Sequence, residues 1–144
     1  MESTQADTPE TLAETFWSVS RTLRHATHTA LAPLGITPGQ GRALGVLLKH
    51  GTMRLSELSE HLRIAARSTT EVVDALEADG LVTRAPDASD RRATLVALTE
   101  HGTQIGSRLS DARLAEAEAF FGRLDERDRS ELRRILDLLR APEG

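Results

Sequence analysis

Arg67, Ser68 and Thr70 crowd into four consecutive positions, and Arg91-Arg92 form an adjacent pair further along the chain. These side chains suit recognition rather than bond breaking. A guanidinium can reach guanine through two parallel N–H donors, and hydroxyls can bond base edges or phosphates. Arg54 and Ser56 are further candidates for phosphate, through a helix N-terminus, with simple capping the alternative. No nucleophile–base pair, no paired carboxylates and no metal-ligand spacing accompany them, so an enzyme is not expected. The chain has no cysteine, which excludes disulfides, thiolate metal sites and thiol redox sensing.

These groups need elements to hold them. Apolar positions at Leu12, Phe16, Val19, Leu23, Ala26 and Ala30 trace one helical face within Thr8 to Pro33. Thr37-Pro38 reads as the start of a second helix that buries Leu44, Val46, Leu47 and Leu48 and stops at Gly51. Leu55 to Leu62 is a short third helix, with capping groups expected from Ser56 and Ser59 or Glu60. A turn at Arg63-Ile64-Ala65 leads to a fourth helix, Ala66 to Asp79. Its buried face is Thr69, Val72, Val73 and Leu76, and Gly80 ends it. Arg67, Ser68 and Thr70 lie off that face. Leu81 to Arg84 and Thr94 to Leu98 alternate as strands, and the loop from Pro86 to Arg92 presents the arginine pair. Leucines, alanines and phenylalanines at helical spacing then fill two terminal helices broken at Gly122. A helix-turn-helix followed by a β-wing puts one helix in the major groove of DNA and basic side chains on the minor groove.

The net charge of −4 argues against indiscriminate nucleic-acid binding, so local charge must decide. Residues 61–70 carry Arg63 and Arg67 with no acid, while Glu71, Asp74, Glu77 and Asp79 follow in the same helix. Charged residues at 28% and hydrophobic ones at 39% describe a folded, helix-rich chain, and aromatics at 3% leave it a thin aliphatic core. Terminal helices richer in apolar residues than so small a core can cover are expected to pack on a second copy. No apolar run approaches the roughly 20 residues of a membrane span, and Met1 to Glu10 is too polar for a signal peptide. The expected location is the cytoplasm, with no membrane partner.

The order Leu31-Ala32-Pro33-Leu34-Gly35-Ile36-Thr37-Pro38-Gly39-Gln40, then Leu55-Ser56-Glu57-Leu58, Leu76-Glu77, Gly80-Leu81-Val82 and Arg84 is distinctive. It continues through Asp87, Asp90-Arg91-Arg92-Ala93, Leu98-Thr99 and Gly102. In that order and spacing, the stretch from about Leu12 to Leu139 resembles the MarR (multiple-antibiotic-resistance regulator) family of winged helix-turn-helix regulators. The resemblance implies a homodimer built from the terminal helices that binds pseudo-palindromic double-stranded operator DNA. It also implies repression relieved by a small, often anionic aromatic inducer bound between the dimer helices and the reading lobe. Two departures stand out: Glu71 and Ala85 occupy positions where many members carry a basic residue.

The expected fold is therefore mainly α with a small two- or three-stranded β-wing. Residues 1–34 and 100–144 form a helical dimerisation region, and 35–99 form the winged helix-turn-helix lobe. Arg54, Ser56, Arg67, Ser68, Thr70, Arg91 and Arg92 are the expected DNA contacts, with ordinary solvated surface as the alternative. Asp90 is expected to orient a wing arginine through a charge-assisted bond. Trp17 and His25 are candidates to line a ligand pocket, with packing the alternative for Trp17. His25 and His28 share a helix at metal-compatible spacing but lack a third ligand, so His25, His28, His50, His61 and His101 are expected to be solvated or interfacial. Gly39 to Gly45 misses the dinucleotide-loop spacing by one and follows no strand, so no cofactor is expected. A winged-helix module that binds another protein through its acidic surface is the alternative function.

Overall fold

The computed structural model describes residues 9–140 and 142. Helix α1 (Leu12–Leu31) runs into a 3₁₀ turn (Ala32–Leu34), then α2 (Pro38–His50), strand β1 (Met53–Arg54), α3 (Leu55–Leu62) and α4 (Ala66–Ala78). Strands β2 (Val82–Pro86) and β3 (Thr94–Leu98) follow, then α5 (Glu100–Phe121) and α6 (Glu126–Leu139). The sheet is antiparallel in the order β1-β3-β2, with Val82 opposite Leu98 and Pro86 opposite Thr94. The fold is mainly helical with a small wing, as expected.

Local signals account for most boundaries. Thr11 caps α1 reciprocally with Glu14, and Thr37 caps α2 with Gln40, each supplying partners for amides that a helix start leaves unpaired. An α1 start at Thr8 lies outside the described residues, as do positions 1–8, 141, 143 and 144 of the expected terminal regions. Glycines end α2 and α4. Gly80, at φ 73°, completes a turn in which its amide bonds Glu77 and the Leu81 amide bonds Leu76.

Some expectations need correction. Ser56 does not cap α3; the Arg54 amide donates to Glu57 Oε1 at 3.2 Å, so the carboxylate one turn in does the capping. The wing strand runs from Val82 to Pro86 rather than Leu81 to Arg84, because Leu81 closes the turn after α4. In α2 the buried side chains are Ala43, Leu44 and Leu47, while Val46 and Leu48 are half-buried. His50 and His61 are both exposed, as expected of solvated side chains, and their rings stack at 4.5 Å.

The core sits in the central lobe. Leu44, Leu47, Leu58, Val73, Leu76, Val82 and Val96 are fully buried, and Leu109 of α5 joins them. Thr69 is buried too, and its hydroxyl accepts from Ser59 at 2.8 Å while bonding Ala65 O at 3.2 Å. That bond joins α3 to α4 across the turn. Arg42 of α2 donates to the Leu62 carbonyl at 2.7 Å, closing the end of α3 just where Arg63 turns left-handed. Neither α1 nor α6 buries any residue. No helix among the described residues is long and apolar enough to cross a membrane.

Candidate nucleic-acid interface

Helix α4 is anchored by Thr69, Val73 and Leu76, and this turns Arg67 and Ser68 outward. Its cap, Ala65, makes no side-chain bond, and no acid stands in its first turn, so the leading amides remain open to an anion. Arg67 is 92% exposed and meets Glu71 only at 3.9 Å, a surface pair with little hold on either partner. The Thr70 hydroxyl donates to Ala66 O at 3.0 Å, which leaves it as an acceptor.

Two of the acids later in α4, Asp74 and Glu77, share one partner. Arg84 reaches back from β2 to Asp74 at 2.6 Å and to both oxygens of Glu77 at 3.1 and 3.3 Å. The Arg84 bonds hold the Glu77 carboxyl below its ordinary range, and Glu77, then Asp74, raise the arginine above its own. Arg84 thus offsets negative charge on α4 and braces that helix against the wing. The sequence shows two acids one turn apart and an arginine on the next strand, but nothing along the chain says that they meet.

The wing loop is ordered by its own acids. Asp87 accepts from the Ser89 amide at 2.9 Å, the Ser89 hydroxyl at 2.8 Å and Arg54 Nε at 2.8 Å. These bonds, the Ser89 ones foremost, lower its carboxyl pKa. Arg54, half-buried, therefore ties the wing to the start of α3, which makes it a brace as well as a candidate phosphate contact. Asp90 does orient the loop, but through backbone: it accepts from the Arg92 amide at 3.0 Å, and its carbonyl accepts from Ala93 at 2.9 Å. No arginine side chain among the described residues bonds it, because the turn points its carboxylate at the chain. Among the described residues Arg91 and Arg92 have no carboxylate partner, and both are exposed.

Ser56 is exposed on the first turn of α3, two residues from Arg54 and on the same helix-turn-helix as Arg67. Trp17 and His25 are exposed on α1, well apart from these groups in the chain. A shallow hollow of about 370 Å³ lies elsewhere, lined by Leu55, Arg84, Pro86, Arg91 and Thr94 among others.

A helix-turn-helix whose second helix shows a basic, hydroxyl-bearing face beside a braced hairpin with unpaired arginines defines a winged helix-turn-helix protein. Residues 36–94 match the MarR family model. The chain is 35% identical over 68 residues to the HTH-type transcriptional repressor MdtR of Bacillus subtilis, covering 47% of this chain and 44% of that one. AbsC, a MarR family transcriptional regulator from Streptomyces coelicolor, superposes with a TM-score of 0.73 at 27% identity over 92% of this chain and 95% of its own. Wild-type MarR from E. coli shares the fold, with a TM-score of 0.83 at 22% identity over 94% and 100% of the two chains. Over residues 36–94 the chain is similar to the MarR family. It spans about half the length of the curated relatives it matches first, and those relatives are named as regulators of transcription, not enzymes.

Proposed function

We propose that the chain is a dimeric, sequence-specific DNA-binding regulator of transcription, a repressor relieved by a small aromatic anion. The observation that carries the DNA reading is the pair of unpartnered, outward arginines on a wing held rigid beside α4. Arg67, Ser68 and Thr70 would meet base edges. Arg91 and Arg92 would enter or flank the minor groove, and Ser56 with the remaining N–H groups of Arg54 would hold phosphate.

The terminal segments, 1–34 and 100–144, supply the dimer and 35–99 the reading lobe. Supporting this division, the large exposed hydrophobics among the described residues all fall on α1, α5 and α6: Leu12, Phe16, Trp17, Val19, Leu114, Ile135, Leu138 and Leu139. Burying such a side chain stabilises by about 1.5–3 kcal/mol, so a second copy has much to gain there. The alternative of an acidic protein-binding surface loses support because Arg84 occupies Asp74 and Glu77.

Selection from random duplexes tests the reading. A single enriched inverted repeat is expected, with affinity reduced by members of a phenolate and carboxylate panel. Enrichment of nothing removes the DNA function; an enriched site that no ligand weakens removes only the induction.

A further inference from the structure

The turn that ends α4 and the cap that starts α5 are one joint. The Gly80–Leu81 turn bonds its amides back into α4, which leaves the Gly80 and Leu81 carbonyls facing outward. Thr99 takes both. Its hydroxyl donates to Gly80 O at 2.6 Å and its amide donates to Leu81 O at 3.0 Å. The same hydroxyl accepts from the Gly102 amide at 2.9 Å and so caps α5. At Gly102 the helix runs so close to Leu81 that any Cβ would overlap the Leu81 carbonyl oxygen. One turn on, Gly106 lies against Leu48, and Leu109 is buried in the central core. The exposed apolar positions of α5 begin only at Leu114.

We infer that Thr99 and Gly102 are positioning residues that lock the reading helix α4 to the first turns of α5, so that α5 sets the spacing between the two reading helices of a dimer. The inference rests on the proposed DNA-binding dimer. The rigid reading unit then extends past the 35–99 lobe through Leu109, so residues 100–109 move with the lobe although the rest of α5 serves the dimer. Any motion that changes half-site spacing arises beyond Leu109 rather than at the junction of β3 and α5. Two half-sites must lie about one turn, roughly 34 Å, apart for both helices to dock. A loosened joint therefore harms binding to paired sites while sparing a single half-site.

The test uses the full chain, the inverted repeat it selects from random duplexes, the isolated half-site, and repeats with one or two central base pairs added. Thr99→Val removes the hydroxyl at similar size, and Thr99→Ser keeps it. Thr99→Val is expected to bind the native repeat about tenfold more weakly, as the loss of one well-placed hydrogen bond allows, with half-site affinity within about twofold. Its preference for native over lengthened spacing should narrow, and Thr99→Ser should restore the wild-type pattern. Equal losses on repeat and half-site, or an unchanged spacing preference, would overturn the inference while leaving the DNA reading intact. A wild-type chain that selects no duplex removes both. Amide exchange on the wild-type chain checks the joint without a variant: the Thr99 and Gly102 amides should be protected as long as those of Val73 and Leu76. Rapid exchange at the two would overturn the lock.

Discussion

At the residue scale, the two kinds of arginine separate by what they touch. Arg67 projects from the reading helix with only a loose contact to Glu71, so Arg67→Ala should cost roughly 1–3 kcal/mol on the best duplex and much less on one already altered at the contacted base pair. Arg92 sits on the wing with no carboxylate partner among the described residues. Arg92→Ala should weaken all related sites nearly alike and make the salt dependence shallower by about one unit of slope. Titrating both variants against single-base duplex variants at two salt concentrations checks this, and identical profiles would mean the roles are wrongly assigned. Asp87 adds a pH dependence. Its folded pKa lies below its unfolded one, so its stabilising contribution is complete above the ordinary carboxylate range and is lost as pH falls through the folded value. The melting temperature of wild type should therefore fall more steeply with acid than that of Asp87→Asn, measured from neutral pH downward.

At the element scale, the helix-turn-helix is held by bonds between elements as much as by its apolar seam. Thr69 is wholly buried yet polar, and its hydroxyl is the acceptor for Ser59 of α3. Thr69→Val keeps the volume but leaves the Ser59 hydroxyl without that partner, and should cost about 1 kcal/mol by denaturant unfolding. Ser59→Ala made in the Thr69→Val background should cost less than Ser59→Ala alone, because the two hydroxyls share one bond. The wing is braced twice over: Arg84 ties β2 to α4, and Arg54 ties the loop to α3. Its arginines are thereby carried on a frame with little freedom to lose on binding, which favours affinity.

At the scale of the whole molecule, the apolar side chains left outside are as informative as those within. Leu138 and Leu139 are 72% and 75% exposed on α6, a helix that buries none of its residues. Replacing both with glutamate should leave the central lobe folded, since neither joins its core. The variant should sediment as a monomer and bind an inverted repeat no better than a half-site. A dimer that survives this change would place the contact on other faces. Any ligand that weakens DNA binding through the dimer must itself bind DNA-loaded protein more weakly by the same factor.

Much of this was legible in the residues because its causes are local. Helical spacing, the Thr37-Pro38 start, the Gly80 stop and the alternation of Thr94 to Leu98 each depend on a few neighbouring positions, and they place Arg67 and the Arg91-Arg92 pair correctly off the core. The sequence also determined that the terminal helices carry an apolar excess. What only the tertiary structure decided are the meetings between distant positions. Arg54 finds Asp87 33 residues away, and Thr99 grips Gly80 across 19. Arg84 folds back onto Asp74 and Glu77 of the preceding helix. Such contacts follow from how a helix end, a hairpin and the next helix pack together, and no periodicity in the chain encodes them.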